Sequence, residues 1–276
     1  MFTLNCKGKL ILIEKPLVMG ILNINNDSFY SGSRFQNRDA IVMKAEQMIE
    51  EGADIIDIGG QSTRPESERI TAEEEMQRVL PVIEMLEKKL NNALLSIDTY
   101  HPLVAEAAVK AGASIVNDIS AGEMDKNMLN TVASLEVPYI CMHMKGVPET
   151  MHLTIHYENI LQEVVDFFIN KINECRLAGI KDVIIDPGFG FGKTIQHNFF
   201  LLKKLSIFKM LGRPIMAGLS RKSIIYKTLH TTAENALNGS TVLNTIALQN
   251  GASILRVHDV KEAREAAILI EAYGKA

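Results

Sequence analysis

The sequence predicts an α/β fold, a single (β/α)8 TIM-type barrel with a short N-terminal extension, and three observations lead there. Eight short, nearly continuous apolar runs recur along the chain, each followed by a longer stretch with helical spacing. The runs do not alternate apolar with polar, as expected of strands covered on both faces. A glycine followed by alanine and the start of the next strand recurs at Gly52, Gly112 and Gly251, one helix-ending device used three times. A doubly wound sheet with a small second domain is the alternative, and the count of eight favours the barrel. No linker, low-complexity stretch or charge block divides the 276 residues, so 1–276 is read as one domain.

Residues 1–15 precede the first run and are expected to form a short hairpin that plugs the barrel bottom. The strands are placed at 17–24, 54–58, 94–98, 114–118, 139–143, 182–186, 214–217 and 253–257. The helix at 72–90 has Met76, Val79, Leu80, Ile83, Leu86 and Leu90 at helical spacing, and Thr71 with Glu74 fits a capping box. Pro81 lies inside it and predicts a kink or a break.

Composition excludes several classes. With 47% apolar and 22% charged residues, the chain has material for a large core and a solvated surface. A net charge of -4 gives no basic footprint for a nucleic-acid backbone. No apolar run approaches the ~20 residues of a membrane span, and the opening stretch, apolar only over 10–13, is too short for a signal peptide. The expected location is the cytoplasm, with no membrane partner. Cys6, Cys141 and Cys175 are odd in number and widely spaced, which points to core residues and not to a disulfide framework or a thiolate metal site.

In a barrel, chemistry sits where strands end. Here the ends carry Asn23, Asp57, Asp98, Asn117, Asp118, His143 and Asp186, then Ser220, Arg221 and Lys222 after the seventh strand, and Arg256 and His258 on the eighth. So many polar groups on one rim would be costly to bury together without a polar ligand. Asp57 and Asp118 are the members most expected to be structural. Asp98, Asn117 and Asp186 suit a ligand edge rich in N–H donors, whereas Asn23, Arg256 and His258 suit an anion, with or without a divalent cation. The implied ligand has two different ends.

The run DPGFGFGKT at 186–194 invites a nucleotide-binding reading and fails both templates. Pro187 stands where a P-loop needs glycine, and the spacing G-x-G-x-G is not the dinucleotide fingerprint. It reads instead as a tight loop whose backbone can approach a flat ligand.

Eight segments in order carry a resemblance: 19–29 (MGILNINNDSF), 57–65 (DIGGQSTRP), 96–100 (SIDTY), 116–122 (VNDISAG), 142–146 (MHMKG), 186–193 (DPGFGFGK), 218–223 (GLSRKS) and 256–259 (RVHD). Over almost its whole length the chain resembles the dihydropteroate synthase family. The resemblance implies a transferase that condenses 6-hydroxymethyl-7,8-dihydropterin diphosphate with p-aminobenzoate, giving 7,8-dihydropteroate, a folate precursor, and pyrophosphate. It implies that Asp98, Asn117 and Asp186 hold the pterin ring, with Met142 packed against it and Lys222 on its oxo edge. Asn23, Arg256 and His258 would hold the diphosphate, Asn23 also lying near Mg2+. Thr63, Arg64, Pro65, Phe191 and Ser223 would frame the p-aminobenzoate pocket, which is also where a sulfonamide would act. Asp98, Asp186, Lys222, Arg256 and His258 would carry the chemistry, loss of pyrophosphate followed by attack of the arylamine. The loops at 25–35 and 61–69 would close over the substrates, and the family implies a homodimer.

The chain departs from the family pattern in its first loop. Asn25 and Asn26 replace Thr and Pro, and Ser31 stands in place of an aspartate, so Mg2+ would lean on Asn23, Asp27 and the diphosphate. In the second loop Gln61 and Glu66 replace Glu and Gly. Two other readings follow from the same residues: a corrinoid-dependent methyltransferase sharing the pterin pocket, against which the segments 62–65 and 220–222 speak, and a pterin-binding barrel without chemistry. An aldolase-like use of Lys222 is disfavoured by its place in a turn.

Overall fold

The computed structural model describes residues 1–24, 34–61, 69–90, 93–147, 151 and 155–276. The chain opens with an antiparallel hairpin of β1 (Phe2–Cys6) and β2 (Lys9–Ile13). Eight parallel strands follow: β3 (Leu17–Asn23), β4 (Ile55–Gly59), β5 (Leu94–Asp98), β6 (Ile115–Asp118), β7 (Tyr139–Met142), β8 (Val183–Asp186), β9 (Met216–Ala217) and β10 (Ile254–Val257). They are hydrogen-bonded in the order β8-β7-β6-β5-β4-β3-β10-β9. A parallel bridge between Ile185 and Ile215 joins the two ends and closes the ring. Each strand boundary lies within two residues of its expected place.

The helices run outside the ring: α1 (Arg34–Glu50), α2 (Ala72–Lys89), α3 (Pro102–Ala111), α4 (Met128–Leu135), α5 (Ile160–Ala178), α6 (Ile195–Lys203), the single turn α7 (Ser223–Tyr226), α8 (Leu237–Gln249) and α9 (Val260–Gly274). Thr71 and Glu74 form the expected capping box. α2 continues through Pro81 unbroken. The carbonyl left without a donor belongs to exposed Gln77, where water can replace the missing hydrogen bond. Gly52, Gly112 and Gly251 take φ of +101°, +135° and +99°, a left-handed turn that glycine makes without a Cβ penalty.

The hairpin plugs the barrel. Leu4, Cys6 and Ile13 pack against Leu17, Met19, Ile55, Leu94, Ile115, Ile140, Ile184, Met216 and Ile254, the lowest interior layer. Full burial of such side chains stabilises by about 1.5–3 kcal/mol each. Cys6, Cys141 and Cys175 are all buried and free, as their spacing suggests. The bottom is thus sealed, and the open end lies where the strands end in polar residues.

Candidate active site

Side chains alternate between the two faces of a strand, and this decides which strand ends reach the interior. Two residues above the apolar bottom layer, the inward positions are Asp57, Ser96, Asn117, Met142, Asp186, Gly218 and Arg256; Asn23, Asp98 and His258 come two residues higher. Contacts confirm the placement. Asp57 Oδ2 accepts from Asn117 Nδ2 at 3.0 Å and from Arg256 Nε at 2.6 Å. Arg256 Nη2 donates to Asp98 Oδ2 at 2.6 Å. A Cβ on Gly59 would lie 3.5 Å from Asn23 Oδ1 and 3.7 Å from Asp98 Oδ2, so Asn23 and Asp98 face each other across this glycine.

Across the mouth, Asp186 Oδ1 accepts from Gly188 N at 2.8 Å. Lys222 Nζ donates to Phe189 O at 2.6 Å and sits 4.8 Å from the centre of the Phe191 ring. Tyr100, Ile119, Met142, Met144 and Met151 form a buried apolar cluster, with Met124 and Phe191 packed against it. One side of the mouth is therefore acidic and hydrogen-bonding, the other flat and apolar.

The charges are strongly coupled. Burial pushes Asp98 above the usual carboxylate range; Arg256 pulls it back, and Asp57 and Asp118 add to the push. Burial likewise raises Asp186 against the pull of Lys222. Lys222 is lowered to about 8 by desolvation, which outweighs the attraction of Asp186, with Arg256 adding to the fall. Arg256 stays firmly protonated, because Asp57 and Asp98 more than offset its desolvation. His258 is pushed down by desolvation and by Arg256. Its side chain reaches solvent, and its Nδ1 lies 3.2 Å from Ser220 Oγ.

Two strand ends turn away from this site. Asp118 points outward and accepts from Ser120 N, Ser120 Oγ, Gly122 N and Tyr139 Oη at 2.7–2.8 Å, the structural part expected of it. His143 packs its ring edge-on against Phe167 at 4.9 Å, behind β7. Asp57 also takes the structural part expected of it: it is fully buried, and by accepting from Arg256 and Asn117 it braces two residues of the site. Arg221 turns back onto its own loops, pairing with Asp259 and donating to Ala233 O and Glu234 O. Ser223 opens a helix of one turn. Thr63, Arg64 and Pro65, together with Asn25, Asn26, Asp27, Ser31 and Glu66, lie outside the described residues, as does most of each loop expected to close over the substrates.

One buried acid was missed. Glu75, in the first turn of α2, is fully buried and accepts from Thr99 Oγ1 at 2.8 Å. Burial, only partly offset by that hydrogen bond, raises it to about 7. It sits four residues before Val79 in the apolar stripe of the helix, and a carboxylate in such a stripe is a signal that could have been read.

A polar layer that reads donors, a cation between two carboxylates and an apolar pad together fit a flat heterocycle carrying an anion. The sequence model of the pterin-binding enzyme family matches residues 19–258. The chain belongs to that family. Among its relatives, the dihydropteroate synthase of Haemophilus influenzae is 42% identical over 259 residues, covering 93% of this chain and 94% of the relative. The fold also matches the crystal structure of Yersinia pestis dihydropteroate synthase in a sulfonamide complex, with a TM-score of 0.93, 38% identity and all of both chains covered. Xanthomonas albilineans dihydropteroate synthase with 4-aminobenzoic acid matches with a TM-score of 0.91 and 40% identity, over 99% of this chain and 98% of that one. The family match begins at Met19 on β3 and ends at His258 just beyond β10, so it spans the barrel and leaves the plugging hairpin outside it. Within this pterin-binding enzyme, the interior polar layer lies entirely inside the matched region.

Proposed function

We propose that this chain is a dihydropteroate synthase, a transferase that joins the methylene carbon of 6-hydroxymethyl-7,8-dihydropterin diphosphate to the amine of p-aminobenzoate. The observation that carries this is Arg256, in one interior layer with Asp57, Asn117 and Asp186 and bonded both to Asp57 in that layer and to Asp98 above it. The acids and the amide accept from the N–H edge of the pterin, and the ring lies on the pad of Met142 and its neighbours. Lys222 meets the oxo edge. Arg256 still has donors to spare beyond its two carboxylate bonds, and with His258 it receives the diphosphate.

The C–O bond to the diphosphate breaks with its electron pair leaving on oxygen, and positive charge spreads from the methylene into the pterin. Asp98 and Asp186 lie where that charge develops, and preorganised charge of this kind lowers the barrier. The neutral arylamine then forms the new C–N bond and loses a proton, which pyrophosphate can accept. No side chain acts as a nucleophile. Phe191 and Ser223 lie on the p-aminobenzoate side in this reading, where a sulfonamide would compete, and the family resemblance would add Thr63, Arg64 and Pro65.

Mg2+ suits the donor set as a substrate-borne ion. Among the described residues no cluster of three His, Cys, Asp or Glu could hold a metal by itself. The amide oxygen of Asn23 at the rim offers one ligand, with the diphosphate and water supplying the rest, the way Mg2+ is commonly bound. When bound, the ion neutralises charge on the leaving group. We further infer a cytoplasmic homodimer. The free thiols suit a reducing compartment, and exposed Val242, Ile268, Leu269 and Tyr273 on α8 and α9 offer an apolar face to a second copy.

The test combines purified protein, Mg2+ and both substrates, and looks for 7,8-dihydropteroate by mass. Product that disappears when either substrate is omitted supports the synthase. Pterin binding without product would assign the chain to binding alone.

A further inference from the structure

The glycine run that fails the nucleotide templates uses its lysine in an unexpected direction. Lys193 is only 5% exposed. Its Nζ donates to His143 O at 3.1 Å, Gly188 O at 3.0 Å and Phe191 O at 3.0 Å. An ammonium has three hydrogens, so all are used on main-chain oxygens and none is left for a ligand. Where a P-loop lysine reaches out to phosphate, this one points into the protein.

The three carbonyls come from the end of β7 and from both halves of the loop at 187–192. Main chain here touches main chain. A Cβ at Gly188 would lie 2.0 Å from His143 O, and one at Gly192 would lie 2.5 Å from Lys145 O. Gly188, Gly190 and Gly192 all have positive φ, of +67°, +88° and +59°, which explains the G-x-G-x-G spacing. Carbonyl dipoles converging without a donor would repel one another, and a cation among them turns that repulsion into charge-assisted hydrogen bonds.

This loop supports one whole side of the mouth. Gly188 N fixes the Asp186 carboxylate, Phe189 O fixes Lys222, and Phe191 supplies the ring beneath Lys222. We propose that Lys193 is a positioning residue for the reaction: its buried ammonium ties the loop at 187–192 to the end of β7 and so sets Asp186, Phe191 and Lys222 for both substrates. The proposal rests on the synthase reading for the identity of those substrates.

The charged and titratable groups around Lys193 are Asp186, which favours its charge, Lys222, which opposes it, and His143 and His197, both pushed down by burial first and by Lys193 second. Desolvation lowers Lys193 to about 7. A neutral amine keeps two hydrogens and must release one of the three carbonyls, so the loop should loosen as pH rises.

The test compares wild type with Lys193→Met, which keeps the length and removes the donors. Binding of the pterin diphosphate alone is measured by calorimetry, and amide hydrogen exchange is followed over 187–192. The expected result is affinity weakened at least about tenfold, with faster exchange at 187–192 and unchanged exchange in β3 to β6. A folded variant with wild-type affinity and exchange overturns the proposal. Should Lys193→Met fail to fold, Lys193→Ala with and without ethylammonium decides: recovery of pterin binding by the amine supports it, and no recovery overturns it. None of these readouts needs turnover, and wild-type turnover tests the synthase reading separately.

Discussion

Replacing Arg256 with methionine tests the charge arrangement at the heart of the site. Arg256 has a side chain 19% exposed and pairs at 2.6 Å with Asp57, fully buried, and Asp98, 10% exposed. Removing one partner of a buried pair costs about 3–5 kcal/mol. The protein can limit the loss by taking up a proton, because each pH unit below a carboxyl's folded pKa recovers about 1.4 kcal/mol. Asp98 is already raised by burial, and without Arg256 it rises further. A carboxyl raised above its unfolded value stabilises most below the unfolded pKa, and that contribution is lost as pH rises through the folded pKa. The variant should therefore be about 2–4 kcal/mol less stable than wild type at pH 7.5 and clearly closer to it at pH 5.5. Urea unfolding at the two pH values measures this, and calorimetry with pyrophosphate should show affinity down by about 10- to 100-fold. An Arg256→Met protein equally destabilised at both pH values would refute the idea that Arg256 balances these carboxylates.

Three further outcomes are expected. With Lys222 lowered to about 8 and Lys193 to about 7, kcat/KM for the pterin diphosphate should fall in two steps as pH rises and each ammonium is lost, and Lys222→Met should remove the step near 8 while leaving the one near 7. His258 is held neutral by desolvation and Arg256, and an anion beside it reverses this, so pyrophosphate binding at pH 6 should draw more protons from buffer in wild type than in His258→Gln; calorimetry in two buffers of different ionisation enthalpy reads the difference. Leu4→Ala opens a hole in the plug beneath the barrel and should lower stability in urea by about 2–5 kcal/mol, with KM for both substrates unchanged.

Much of the fold was legible because the strands repeat. Eight apolar runs with glycine-ended helices are hard to arrange otherwise, while the hairpin at 1–15 rested on no strand or turn signal, only on the residues left over before the first run. At the site the useful rule was the two-residue period. Alternate residues of one strand share a face, so with Asn117 and Met142 inside, Asp118 and His143 fall outside; on β4 no such anchor was readable, and the place of Asp57 follows only from its bonds to Arg256 and Asn117. The course of α2 through Pro81 depended on a neighbouring carbonyl with access to water, which spacing does not show. Nor does sequence show which way Lys193 points. A lysine after G-x-G-x-G can reach out to a ligand or fold back on its own loop, and the choice rests on φ angles and main-chain contacts made by another strand.

The most direct test of charge separation in the interior layer is positional isotope exchange. The pterin diphosphate is made with 18O at the oxygen bridging carbon and phosphorus, and is incubated with the protein and Mg2+ but without p-aminobenzoate. If Asp98, Asp186 and Arg256 hold separated charges as described, the C–O bond breaks and re-forms in the site, and label should appear at non-bridging positions of recovered substrate. Label that stays in the bridge while the same protein turns over both substrates would show that the bond breaks only as the amine attacks, contradicting the part assigned to these residues.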